Sequence, residues 1–113
     1  MEITGKKSGS VSIVSLGGRL DANASSELEQ KLNALVGADE VCLVVSLEKL
    51  DYISSSGLRV LLASLKNVRK REGDIKLACM KPYIKEVFDI AGFSQLFSIY
   101  DLEDVAIRAF NKK

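Results

Sequence analysis

Val41-Cys42-Leu43-Val44-Val45 is apolar at every position, so both faces of this stretch must be covered when the chain folds. Such a run suits a central strand of a parallel sheet with layers on two sides. That single expectation already demands crossover connections, and the flanking sequence supplies them. Val11, Ile13 and Leu16 fit a strand, and Gly9 suits a turn that pairs it with residues 2–7 as a hairpin. Gly17-Gly18 marks the end of that strand. Leu28, Leu32 and Leu35 recur at helical spacing and Gly37 stops them, which predicts a helix over about residues 24–36.

Beyond the central run, Glu48 to Ile53 reads as a short turn. Leu58, Leu61, Leu62, Leu65 and Val68 then form the clearest amphipathic stripe of the chain, beginning at about Leu58. Lys66, Arg69, Lys70 and Arg71 close this helix before Gly73, where cations oppose the partial negative charge of a helix C-terminus. Ile75, Leu77 and Cys79 alternate as a strand. Pro82 suits the first turn of a helix that faces Ile84, Val87, Phe88 and Ala91 inward and stops at Gly92. Leu96 to Tyr100 reads as a last strand, and Asp101 as the cap of a final helix through Phe110. The order is that of an α/β fold: a mixed, mostly parallel sheet with an N-terminal hairpin and about four helices. With no linker, repeat or low-complexity block, residues 1–113 read as a single domain.

Charge and composition narrow the function. Sixteen basic and fifteen acidic side chains leave a net charge of +1, which argues against non-specific binding to nucleic acid or a membrane surface. The basic run at positions 66–71 reads as a solvated, well-capped helix end. Apolar runs are far shorter than the ~20 residues a bilayer span needs, and Met1 to Lys7 lacks the apolar block of a signal peptide. A cytoplasmic monomer is the expectation. Cys42 and Cys79 sit in apolar, strand-like segments and read as small hydrophobes rather than as a disulfide.

The chain has no histidine, so a Ser triad lacks its usual base, and no Gly-x-Ser-x-Gly elbow is present. Lys66 lies ten residues beyond Ser56, which is no telling spacing for a Ser-Lys dyad. Two cysteines far apart and no histidine make a poor metal site, and Gly17-Gly18 matches no phosphate-cradling fingerprint. No cofactor is expected. The strand ending Ser15-Leu16-Gly17-Gly18 also lacks the acidic pair of a phospho-aspartate receiver.

Ser54-Ser55-Ser56-Gly57-Leu58 is what remains. Near a helix start the backbone N–H groups have no intrahelical partner and the dipole end is positive, so a phosphate on Ser56 would meet exposed donors. Arg59, three residues on, would lie close to the same face and could pair with it. The plainer alternative is that Ser55 or Ser56 is an N-cap worth about 1 kcal/mol.

Three segments resemble the anti-sigma factor antagonists, the bacterial STAS-domain proteins. Gly18-Arg19-Leu20-Asp21, followed by Ser25 and Leu28, is similar to the family's Gly-x-Leu-Asp segment leading into its first helix. Leu47-Glu48-Lys49-Leu50-Asp51-Tyr52-Ile53-Ser54-Ser55-Ser56-Gly57-Leu58 resembles its central signature. Phe88-Asp89-Ile90-Ala91-Gly92-Phe93 with Phe97 resembles its late helix–glycine–strand segment.

The resemblance implies a phosphoprotein of signal transduction and transcription regulation, not an enzyme. In the family's partner switching, the unmodified antagonist binds an anti-sigma factor that is also a serine-protein kinase. Phosphorylation breaks the complex, and a metal-dependent serine phosphatase restores it. The implied acceptor is Ser56, with Ser55 as the fallback. The implied partner surface takes in Asp21, Ala22, Asn23, Ala24, Ser54, Ser55, Gly57 and Arg59. This chain has Ser54 where the signature most often has Asp, and Arg59 where a small residue is common. Arg59 is expected to stabilise the phosphorylated form or to contact an acidic strip on the kinase. A STAS scaffold that binds partners without being phosphorylated is the alternative the Ser54 replacement allows.

Overall fold

The computed structural model describes residues 1–111. Five strands form one sheet in the order β1 (Glu2–Ser8), β2 (Val11–Leu20), β3 (Cys42–Ile53), β4 (Asp74–Ala78), β5 (Ser98–Tyr100). β1 and β2 pair antiparallel as a hairpin whose turn residue Gly9 has φ +62°. The pairs from β2 through β5 are all parallel. The crossovers are α1 (Ala22–Gly37), α2 (Ser55–Arg69) and α3 (Pro82–Ile90), and α4 (Glu103–Asn111) follows β5.

β3 explains its own composition. Leu43, Val45 and Leu47 face the layer formed by Leu28 and Leu32 of α1, Leu58, Leu61, Leu65 and Val68 of α2, and Ile84 and Phe88 of α3. Val44 faces the other way and joins Val11, Ile13 and Ala78 beneath Ala106 of α4. Phe88 is fully buried and meets Phe97 edge to face at 6.0 Å between ring centroids. Cys42 and Cys79 are free and half-buried at the margin of the smaller cluster.

Several sequence-based boundaries move. Residues 48–53 are not a turn but the second half of β3, paired through Lys49↔Gly17, Leu50↔Gly18, Tyr52↔Arg19 and Ile53↔Leu20. Register shifts between Ser15 and Gly17 and between Gly18 and Arg19 break the two-residue alternation there, so Leu47, Leu50 and Ile53 recur every third position. For the same reason Gly17-Gly18 do not end β2, which continues to Leu20 with φ +92° at Gly18. α1 starts at Ala22 and α2 at Ser55, earlier than their apolar stripes announce, because their first turns carry polar residues. Cys79 lies just past β4 with φ 62°, Leu96 and Phe97 precede β5, Ala91 is exposed, and Leu102 rather than Asp101 directly precedes α4.

The basic end of α2 is occupied structurally. Arg69 Nε lies 3.2 Å from Asp74 Oδ1 and its Nη2 donates to the Leu96 carbonyl at 2.9 Å; Arg71 pairs with Asp39 and the Val36 carbonyl.

Candidate functional site

Parallel pairing of β2 with β3 sets two strand ends side by side, Leu20 opposite Ile53, and the next residue of each begins a helix. Asp21 caps α1: its Oδ1 accepts from the Ala24 N–H at 3.0 Å. Ser54 caps α2, its Oγ accepting from the Gly57 N–H at 3.1 Å. The cap is therefore neither Ser55 nor Ser56, as the sequence alone had left open, but the serine before them. Both of those sit inside the first turn, Ser55 exposed and Ser56 half-buried.

Gly57 holds this arrangement close to the sheet. A Cβ placed on it would lie 2.7 Å from both Cγ and Cδ2 of Leu20 and 3.2 Å from Cγ1 of Ile53. Only a residue without a side chain lets the start of α2 rest on the end of β2. The neighbouring Ser56 is half-buried on the same turn.

A shallow groove of about 370 Å³ runs between α1 and α2, lined by Ala22, Ser25, Ser26, Glu29, Ser56, Arg59, Val60 and Ala63. Each helix contributes positions at spacings of three, four and seven, the periodicity of one helix face. Of the residues singled out in the sequence, the groove gathers Ala22, Ser56 and Arg59. Asp21, Asn23 and Ala24 line a separate hollow with Met1, Gly18, Arg19 and Glu27. Ser54 is engaged in its cap, and Gly57 is buried beneath.

Sequence reasoning did not assign Ser26 and Glu29 to the site. Their spacing along α1, Ser26 four residues from Ala22 and Glu29 three from Ser26, was the available signal, readable only once α1 is known to lie against α2. It also missed the rim beside Ser54. There Arg19 stacks over the Tyr52 ring at 4.2 Å from its centroid, and Lys81 Nζ holds Asp51 Oδ1 at 2.7 Å. That hydrogen bond, and the opposite charge each partner brings, keep the Asp51 carboxyl below its usual range and the Lys81 ammonium above its own.

A surface hollow of about 730 Å³ lies elsewhere, along Tyr100, Val105, Arg108, Ala109 and Asn111, and these residues bring together no acid–base pair. Among the described residues no group of three or more His, Cys, Asp or Glu side chains converges. Among the described residues no helix is long and apolar enough to cross a membrane.

The STAS domain family model matches residues 2–106. The chain belongs to the STAS domain family, among its anti-sigma factor antagonists. A Bordetella bronchiseptica protein named as a candidate anti-sigma factor antagonist, BtrV, is 37% identical over 110 residues, covering 97% of this chain and 95% of its own. The crystal structure of an anti-sigma factor antagonist from Mycobacterium paratuberculosis superposes with a TM-score of 0.90 at 25% identity, covering 98% of this STAS domain and 94% of that chain. The Bacillus cell fate determinant SpoIIAA, in its phosphorylated form, shares the fold with a TM-score of 0.77 at 19% identity, over 96% of this chain and 99% of its own. Anti-sigma factor antagonists are regulatory proteins that bind anti-sigma factors.

Proposed function

We propose that this STAS domain is a partner-switching antagonist: unphosphorylated, it binds an anti-sigma factor that is also a serine kinase, and phosphorylation of Ser56 releases it. The observation that carries this reading is the division of labour among three serines. Ser54 satisfies the helix cap, so Ser56 is not needed for it and sits half-buried at the rim of the α1–α2 groove. Transfer would form a bond between Ser56 Oγ and the γ-phosphorus of ATP as the β–γ bridge breaks. ADP leaves, and the hydroxyl proton passes to a base on the kinase. A phosphoserine phosphatase would reverse the modification by hydrolysis, returning the hydroxyl and inorganic phosphate.

A phosphate brings about −1.5 to −2 charges at neutral pH. Enclosed in an interface without a partner it costs several kcal/mol, and roughly 4 kcal/mol is a thousandfold in affinity. No refolding is required for such a switch. SpoIIAA, which shares the fold, is known in unphosphorylated and phosphorylated forms, and that supports the reading.

The test is intact-mass and peptide mass spectrometry on the protein isolated from its own cells, beside Ser56→Ala and Ser55→Ala variants. One phosphate on the Ser54–Ser56 peptide, lost in Ser56→Ala and kept in Ser55→Ala, is the expected result. An unmodified peptide under every growth condition would instead assign a constitutive binding module.

A further inference from the structure

Ser56 and Arg59 are three residues apart on α2 and line the same groove, whose opposite wall is Ser25, Ser26 and Glu29 of α1. The other arginines near this layer are engaged: Arg69 with Asp74, Arg71 with Asp39, Arg19 over the Tyr52 ring. Arg59 is exposed and, among the described residues, has no carboxylate within ion-pair distance. The first turn of α2 carries no acidic residue. A guanidinium thus stands free beside the one hydroxyl that the reading above assigns to modification.

We infer that the α1–α2 groove is an intramolecular receptor for the phosphoryl group of phosphoserine 56, with the Arg59 guanidinium as its counter-charge and the Ser26 hydroxyl as a further donor. This rests on the reading of Ser56 as the acceptor and adds what happens to the phosphate afterwards. Arg59 is a positioning residue: it touches the product of phosphorylation and fixes where its charge lies. An i, i+3 pair on a helix places the two side chains on one face, and a guanidinium matches phosphate oxygens with paired donors. Two charges oppose it. Glu29 lines the groove from α1, and Asp21 caps α1 at the neighbouring strand end. Glu29 therefore weakens the capture, and the balance of Arg59 against Glu29 sets how firmly the phosphate is held.

The experiment needs no kinase. Phosphoserine is installed at position 56 during translation, and its second ionisation is followed by phosphorus NMR across pH in the full chain. An opposite charge nearby favours the dianion, so the phosphoserine should titrate below its usual value of about 6. Arg59→Gln should raise that midpoint by about half a unit, Arg59→Lys should restore part of the shift, and Glu29→Gln should lower it further. The free backbone N–H groups of the helix start act equally in all four proteins, so the differences isolate the side chains. Identical midpoints in the parent and Arg59→Gln, with both folded, would overturn the proposal. Because the phosphate is installed directly, that failure is distinct from finding Ser56 unmodified in cells.

Discussion

Asp21 and Ser54 occupy equivalent places in the fold: each follows one of two paired strand ends and caps the helix that starts there. Leu20 and Ile53 are register partners, and the Ser54 N–H donates to the Leu20 carbonyl at 2.9 Å, extending the ladder into the second cap. The side chains then make the same bond, 3.0 Å from Ala24 N to Asp21 Oδ1 and 3.1 Å from Gly57 N to Ser54 Oγ. A carboxylate at one cap and a hydroxyl at the other are both competent acceptors for an orphan helix N–H. Ser54 therefore supplies the cap that fixes the start of the helix on which Ser56 lies.

Ser54→Ala should lower unfolding stability by about 1 kcal/mol, while Ser54→Asp should hold it, because aspartate caps as well as serine and its charge suits the positive helix end. Urea denaturation at neutral pH measures both. A Ser54→Ala protein as stable as the parent would show that the cap bond carries no net weight.

Gly57→Ala should destabilise the domain by about 1–3 kcal/mol, although alanine gains about 1 kcal/mol of helix propensity over glycine. The added methyl lands 2.7 Å from Leu20 Cγ and Cδ2, so α2 must lift from the sheet. The same lift displaces Ser56, and if Ser56 is the acceptor as proposed, its phosphorylation should slow in parallel. Equilibrium denaturation reads the first effect and a phosphorylation time course the second.

Phe88→Ala removes the largest fully buried side chain and its edge-to-face contact with Phe97. The expected cost is about 3–5 kcal/mol, visible in the denaturation midpoint. Phe88 belongs to α3, remote in sequence from the serine cluster, so on the proposed reading folded Phe88→Ala protein should still accept phosphate at Ser56.

Composition alone made the layered sheet legible, because a strand such as Val41–Val45 has few other places to go. The stripe Leu58–Leu61–Leu65–Val68 similarly announced the buried face of α2. What the residues did not disclose came from two physical sources. Bulges opposite Gly17 and Gly18 break the alternation that identifies a strand, so the half of β3 leading into the site looked like a turn. Three consecutive serines are chemically alike, and only the extended backbone at Ser54, φ −88° and ψ 168°, selects which of them caps. The groove itself depends on how α1 lies against α2, a relation between segments thirty residues apart in the chain that no local pattern encodes.

Stability should fall on acidification, with a sign set by three surface carboxylates held below their ordinary range. Glu40 is lowered by hydrogen bonds from Lys7 at 2.9 Å and Ser12 at 2.8 Å, Asp51 by Lys81, and Asp89 by Ser94 and then Lys85. A carboxyl that is more acidic folded than unfolded contributes its stability above the unfolded value and loses it as pH drops through the folded one. The loss therefore begins near the usual carboxylate range of about 4 and continues below it. Lys81, raised by the same pair, keeps its contribution until pH climbs through its folded value, above the usual lysine range of about 10.4. Urea midpoints should consequently be flat between neutral pH and mild acid and decline below it. Lys81→Met should shrink that decline by removing the Asp51 share, and added salt should blunt it, since Asp51 and Asp89 are exposed and Glu40 is only half-buried. A Lys81→Met protein with an unchanged acid slope would mean that Asp51 titrates alike in the folded and unfolded chain.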